Sequence, residues 1–129
     1  MARPVLYAAK FRRAEFACHD GTVVPKSHDQ LYLDLCRRIL QPLRARFGVC
    51  QVLSGYRTVA WNAQVGGADR SAHIGPPLVE AVAADVRFAR GRVADWAAAA
   101  DELGAGGLGT YRGFIHVDNR AGPPARWSG

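Results

Sequence analysis

The chain has 129 residues, 49% of them hydrophobic, and a formal net charge of +6. This length fits one packed core, so we expect a single domain over residues 1–129. No apolar run reaches the roughly 18 residues of a membrane span, and the N-terminus lacks the apolar segment of a secretory signal. We therefore expect synthesis in the cytoplasm without a signal peptide, and no insertion into a membrane.

The first long element is a helix that follows an irregular arm. The arm covers residues 1–25 and ends in a turn at Asp20-Gly21. Apolar residues then recur every four positions from Leu31 to Leu43, which predicts an amphipathic helix that ends at Gly48. Pro42 falls inside this pattern and should kink the helix or end it early, because proline has no backbone N–H to donate.

Shorter elements follow along the rest of the chain. Apolar runs predict strands within residues 49–57, 80–88 and 107–120, and helical patterns lie within residues 58–68 and 91–107. The last residues, 121–129, are expected to be coil. So few strands favour an α+β domain in which a small antiparallel sheet packs with two to three helices.

The positive charge favours acidic partners in general. Most arginines are dispersed, however, and no basic cluster carries the interleaved aromatic residues of a nucleic-acid platform. A solvated surface explains the charge better, and we expect no specific nucleic-acid partner. A basic nucleic-acid-binding domain without a metal stays open as the weaker alternative.

The three cysteines do not form a metal-binding or redox motif. Cys18, Cys36 and Cys50 contain no Cys-x-x-Cys pair, which argues against a zinc knuckle or a thioredoxin-like site. Cys36 lies in the helical pattern and is expected to be a small buried residue. Cys18 and Cys50 could pair in an oxidising compartment, a point that the sequence leaves open.

Two histidines and one aspartate are the candidate metal ligands. His73 lies in a polar turn, while Asp85 and His116 lie in two apolar strand patterns. Catalytic zinc sites use three such ligands and leave a position open for water. A lone aspartate is costly to bury, so a cation should accompany Asp85. The alternatives are a solvated histidine and an aspartate paired with one of the many arginines.

A wider pattern resembles a known family. The segments "FRRAEFACHDGTVVP", "LSGYRTVAWNAQVGGADRSAH", "AADV", "GGLGTY" and "GFIHVDNR…RW" occur in the order found in the LAS-type zinc D-Ala-D-Ala peptidases. The likeness is to the short phage and bacterial branch of that group and runs from about Phe11 to Trp127. It implies a zinc peptidase that hydrolyses peptidoglycan stem or cross-link peptides at a bond involving D-alanine, as a carboxypeptidase or an endopeptidase.

The resemblance also assigns roles to individual residues. It implies that Zn²⁺ is held on the sheet face by three ligands, namely His73, Asp85 and His116. It implies that Arg57 holds the substrate or the negative charge that develops on it. It also implies that Ser71 orients either the substrate or the turn, and that Tyr56 contacts the substrate.

The general base is less clearly assigned. Asp118 lies two residues after His116, so both side chains share one face of their strand. Asp118 is the nearest candidate for the base. Its alternative role is to orient a ligand or to bind Arg120.

The sequence departs from the family pattern at two places. The aspartate ligand usually lies seven residues after the histidine, whereas Asp85 lies twelve after His73, so residues 76–80 look like an insertion that could cover part of the cleft. Gly113 stands where some relatives carry an acidic residue. Both features suit a rival hypothesis, a non-catalytic relative that contains zinc and binds cell-wall peptides or serves as a structural part of a virion.

The composition suggests a biological setting. Richness in arginine and alanine is typical of a high-GC genome, such as that of an actinobacterium or its phage. A cell-wall peptidase of this length without a leader fits a phage lysis protein or a virion-associated enzyme. We expect a monomer that acts at the cell wall, after phage lysis or on a virion.

Overall fold

A computed structural model describes residues 5–129 and shows the expected α+β fold. The helices are α1 (Asp29–Leu35), α2 (Gln41–Phe47), α3 (Val59–Gln64) and α4 (Val93–Glu102). The strands are β1 (Leu6–Ala8), β2 (Phe11–Arg12), β3 (Cys50–Ser54), β4 (Ala83–Phe88), β5 (Gly107–Tyr111), β6 (Phe114–Asp118) and β7 (Ala125–Ser128). None of the described helices has the length and apolar character needed to cross a membrane.

The main sheet has five strands in the order β3-β4-β6-β5-β7. Its first four strands are antiparallel, as predicted, whereas β7 pairs in parallel with β5. The sheet is therefore mixed rather than wholly antiparallel. The coil prediction for residues 121–129 is wrong over β7, because its four residues alternate between apolar and polar but are too few to give a clear sequence signal.

The register of the sheet brings two of the predicted ligands together. Asp85 on β4 is the direct partner of His116 on β6, and both side chains therefore project from the same face. The alternate residues of the same strands, among them Val86 and Ile115, belong to the hydrophobic core. One face of the sheet thus packs against the core while the other carries polar groups.

The long helix contains a feature that the periodicity did not predict. A π-helical turn over Cys36–Leu40 joins α1 to α2, and the N–H of Gln41 donates to the carbonyl of Cys36. This wider turn comes directly before Pro42, where the helix loses a backbone donor. The expectation that Pro42 ends the helix early is wrong, because the helix continues to Phe47.

The N-terminal arm is part of the core, in contrast to the irregular segment that we expected. Residues 1–4 lie outside the described part of the chain. The short strands β1 and β2 pair, and the rings of Tyr7 and Phe16 pack against Tyr32 of α1. Strands of three and two residues are too short to show an alternating pattern, which explains the miss.

The cysteines are free and buried in the structure. Cys36 lies on the π-helical turn as a fully buried core residue, as predicted. Cys18 and Cys50 are unpaired thiols.

Candidate metal centre and substrate cleft

The three predicted ligands converge on one point of the exposed sheet face. Ligand atoms of His73, Asp85 and His116 all lie within 4.8 Å of one another, and all three residues are buried. Oδ1 of Asp85 is 3.2 Å from Nε2 of His73 and 3.1 Å from Nδ1 of His116. His73 comes from the loop before β4, whereas the other two come from paired strands.

The orientation of His73 is set by the loop that follows β3. Its Nδ1 atom lies 2.7 Å from the carbonyl oxygen of Gly55, which can only accept, so Nδ1 carries the proton and Nε2 keeps a lone pair. The backbone N–H of Arg57 donates to the carbonyl of His73. The hydroxyl oxygen of Ser71 accepts from the N–H of His73 and shapes the turn.

The orientation of His116 is set by Asp118. Nε2 of His116 lies 2.8 Å from Oδ2 of Asp118, so Nε2 carries the proton and the lone pair of Nδ1 faces Asp85. Asp118 is fully buried, and Arg120 binds both of its carboxylate oxygens. A carboxylate behind a histidine ring is the usual support for a metal-binding histidine.

These hydrogen bonds leave an electrostatic repulsion between the two histidine rings and Asp85. With neutral rings, the lone pairs of His73 Nε2 and His116 Nδ1 both point at the carboxylate of Asp85. Only a proton or a metal ion can occupy the space between them favourably. Two imidazole nitrogens and one carboxylate oxygen are a donor set that suits Zn²⁺, so the residues fit the ion.

Without an ion, both rings contact the carboxylate of Asp85 directly. Burial disfavours the charged form of Asp85, but hydrogen bonds from His116 and His73 outweigh it and hold the pKa of Asp85 well below its usual range. Burial lowers the pKa of His116, and the hydrogen bonds to Asp118 and Asp85 overcome this, so that the pKa is raised. The two carboxylates therefore favour a positive charge on the His116 ring when no ion is bound.

Arg57 lies beside the same carboxylate. Its Nη2 atom is 3.6 Å from Oδ2 of Asp85, on the oxygen that the histidines leave free. Nε donates to the hydroxyl of Ser54, and Nη1 donates to the side-chain oxygen of the buried Asn62. These contacts hold the guanidinium at the edge of the site.

A cleft of about 530 Å³ opens over the three ligands. The residues that line it include the polar side chains of Arg57, Arg70 and Ser71. Three aromatic residues also line it and are called the aromatic wall below: Tyr111, Phe114 and Trp127. Within residues 5–129, Asp85 is the one acidic residue that lines the cleft. A cleft of this size, with aromatic and cationic walls, can hold a short segment of peptide.

A comparison with protein families agrees with this geometry. The model of the family described as Peptidase M15 matches residues 9–118, which is most of the chain. The chain belongs to the peptidase M15 family. Searches among curated proteins and among solved structures found no match. Membership supports a hydrolase of the metal-dependent peptidase class, in agreement with the family to which the sequence was compared.

Not every residue to which the sequence assigned a role lines the cleft of this M15 family member. The ring of Tyr56 packs edge-on against His28, with centroids 5.3 Å apart, and Tyr56 is not among the cleft-lining residues. Asp118 lies behind His116 rather than in the cleft. Ser71 and Arg57 do line it.

The segment 76–80 leaves the cleft uncovered. None of its residues lines the cleft. Its first carbonyl, that of Pro76, lies 2.7 Å from Nε2 of the buried His28, and the carbonyl of Leu78 accepts from Arg70. These two contacts hold the segment beside the cleft.

Several contributors to the site were missed by the sequence reasoning. The aromatic wall had no assigned role, although "GGLGTY" and the final "RW" belong to the segments that carried the resemblance. Asn62 was not singled out either, yet its oxygen supports Arg57 and packs against Gly67, where a Cβ atom would collide with it. The "N…VGG" spacing was the signal that could have revealed this contact.

Proposed function

We propose that this M15 family member is a zinc peptidase that hydrolyses peptidoglycan stem or cross-link peptides at a bond involving D-alanine. The observation that carries the proposal is the convergence of His73 Nε2, His116 Nδ1 and Asp85 Oδ1 in a cleft of peptide size. The supporting partners of both rings leave their lone pairs facing inward, which is what a metal ligand requires.

His73, Asp85 and His116 would hold the ion. Bound Zn²⁺ lowers the pKa of a water molecule towards neutrality and polarises a carbonyl group. The protein supplies the rest: Gly55 and Asp118 keep the protons of the two rings on the nitrogens that face away from the cleft.

Arg57 would stabilise negative charge that develops on the substrate. It lines the cleft, it is held by Ser54 and Asn62, and its Nη2 atom is 3.6 Å from Oδ2 of Asp85. A fixed cation aimed at a developing oxyanion is a common source of catalysis.

Asp118 would act as a positioning residue. Of the two roles that the sequence left open, burial and the contacts with His116 and Arg120 favour orientation of a ligand over proton transfer from water. The hydrogen bonds from His116 and Arg120 outweigh burial and keep the pKa of Asp118 well below its usual range, so it stays a carboxylate.

The rival function is peptide binding without hydrolysis. It is favoured by one observation, that no acidic residue apart from Asp85 lines the cleft within residues 5–129. A zinc peptidase normally has a group in the cleft that exchanges protons with water or with the leaving amine. Peptide hydrolysis and peptide binding would use the same metal site, and only the first would cleave the peptide.

The setting completes the proposal. We place the action of this protein at the cell wall, as a single-domain monomer that phage lysis releases or a virion carries. A net charge of +6 suits a wall rich in phosphate and carboxylate groups.

The test combines metal content with digestion of purified peptidoglycan. We expect about one zinc per chain and release of wall peptides from the wild type, with loss of both in His116→Ala. His19→Ala, which removes an exposed histidine outside the cleft, is the matched control and should retain both. Zinc without release would favour the binding function, and absence of zinc in the wild type would overturn the metal site.

A further inference from the structure

The aromatic wall of the cleft contains a tyrosine whose hydroxyl group is oriented by a tryptophan. Nε1 of Trp127 lies 2.7 Å from the hydroxyl oxygen of Tyr111. An indole N–H can only donate, so the tyrosine oxygen accepts. The hydroxyl proton of Tyr111 has no acceptor among residues 5–129, and it remains available to a ligand in the cleft.

The ring of Tyr111 is fixed in place. It stacks on Phe114 with centroids 4.7 Å apart and an interplanar angle of 1°. Gly109 and Gly129 let backbone approach the ring, since a Cβ atom at either position would collide with it. A hydroxyl group on a ring held in this way loses little freedom when it binds a substrate.

The pair lies next to the metal ligands. Trp127 is 5.1 Å from His116 between ring centroids, and Gly109, beneath Trp127, is the register partner of His116. Strand β7 pairs in parallel with β5, and this pairing brings Trp127 back to the cleft. Tyr111 therefore lines the same cleft as Arg57 and the three candidate ligands.

We propose that the hydroxyl of Tyr111, oriented by the indole N–H of Trp127, donates a hydrogen bond to the scissile peptide group. The inference rests on the proposed function and names a further residue for it. Two hydroxyl-bearing residues line the cleft within the described chain, Ser71 and Tyr111, and the Ser71 oxygen is already engaged by the N–H of His73, so we assign Tyr111 as the O–H donor that assists Arg57. No proton is transferred in this role; the bond strengthens as charge develops on the substrate.

The experiment measures kcat and KM separately for Tyr111→Phe, Trp127→Phe and the double variant, all loaded with zinc. Loss of one such donor should lower kcat by about a hundredfold for Tyr111→Phe and raise KM by no more than about fivefold. Trp127→Phe should lower kcat less, because the hydroxyl remains but loses its orientation. Trp61→Phe, which changes an indole outside the cleft, should behave like the wild type.

Non-additivity separates this role from mere packing. If the two residues act as a unit, the double variant should be no slower than Tyr111→Phe alone. Multiplied losses, or a kcat of Tyr111→Phe equal to that of the wild type, would overturn the proposal. Circular dichroism melting and zinc content should stay unchanged in all variants, since each retains an aromatic ring.

A binding measurement keeps the inference distinct from the proposed function. If the wild type releases no peptide, the hydrolytic function fails, and the donor is tested by the affinity of a synthetic stem peptide. A hydroxyl that contacts the peptide should make Kd about fivefold weaker in Tyr111→Phe. An equal Kd would then overturn the hydrogen bond as well.

Discussion

The Nε2 atom of His116 lies 2.8 Å from Oδ2 of Asp118, and this contact turns the lone pair on Nδ1 towards Asp85. The pairing depends on β6, where residues two apart share a face. It also depends on burial, because Asp118 is fully enclosed and has Arg120 as its counter-ion. The strand thus carries both a candidate metal ligand and the group that orients it.

Replacement of Asp118 by Asn should weaken the metal site without removing a ligand. The amide carries no charge, so it supports His116 less well and leaves Arg120 without its counter-ion. We expect zinc affinity to fall by about 10- to 100-fold, measured by competition with a chromophoric chelator. Asp101→Asn, at an exposed ion pair with Arg126, is the control and should keep the wild-type affinity. Equal affinity in Asp118→Asn would contradict the orienting role.

A small residue on the neighbouring strand protects the same carboxylate. Gly107 is the register partner of Asp118, and a Cβ atom built at Gly107 would collide with the Asp118 carboxylate. We expect Gly107→Ala to lower the free energy of unfolding by about 2–3 kcal/mol and to weaken zinc binding, because the buried carboxylate must move. Urea denaturation and chelator competition measure the two effects.

Gly113→Ala separates steric collision from backbone strain. Gly113 has a φ of +86° and open space around its Cβ position, so alanine there should cost only about 1 kcal/mol and leave zinc affinity unchanged. If Gly107→Ala is as stable as Gly113→Ala, the carboxylate of Asp118 has room to move away from the added methyl group.

The candidate ligands His73, Asp85 and His116 were predictable because the chemistry of a buried carboxylate conflicts with its apolar surroundings. A charged residue in the apolar run around Asp85 requires a partner, and histidines in a turn and in a second strand were available to provide one. The resemblance to the peptidase family selected the same residues. The register of β4 and β6 places Asp85 and His116 on one face of the sheet, a relation between strands that alternation along either strand does not predict.

The walls of the cleft were not predictable in the same way. Trp127 reaches the cleft through parallel pairing of β7 with β5, and such a non-local contact leaves no local pattern. The anchoring of residues 76–80 by His28 depends on two segments far apart in sequence. The ring of Tyr56 packs against His28, a contact that its place in the "SGYR" segment does not reveal.

Asp29 should make stability depend on pH in the acid range. Its carboxylate accepts hydrogen bonds from the hydroxyl of Tyr7 and from Arg13, at 2.6 and 2.9 Å. Burial raises its pKa, but these bonds outweigh it, so the pKa lies below its ordinary value of 3.8. A carboxyl group with a lowered pKa stabilises the fold above its unfolded pKa, and the stabilisation is lost as pH falls through the folded value.

The variant Asp29→Asn should reveal this contribution. We expect it to lower the free energy of unfolding by about 1 kcal/mol at neutral pH, because the hydrogen bond from Tyr7 weakens and the ion pair with Arg13 is lost. The difference from the wild type should shrink as the pH falls below about 4, measured by urea denaturation at several pH values. Asp69→Asn, an exposed aspartate, is the control. A difference that grows towards acid pH would contradict the assigned direction.

The buried thiols should be unreactive in the folded protein. Burial raises the pKa of the Cys50 thiol to about 12, and it raises the pKa of Cys36 as well. Since the thiolate is the reactive form, Ellman's reagent at pH 8 should modify Cys36 and Cys50 on the order of a thousandfold more slowly than an ordinary thiol. After denaturation in guanidinium chloride without reductant, all three thiols, Cys18 included, should react. If only one thiol reacts in the denatured protein, two of the three cysteines form a disulfide, which would fit the Cys18–Cys50 pairing that the sequence left open. Fast reaction in the native protein would contradict the burial of the helix face that contains Cys36.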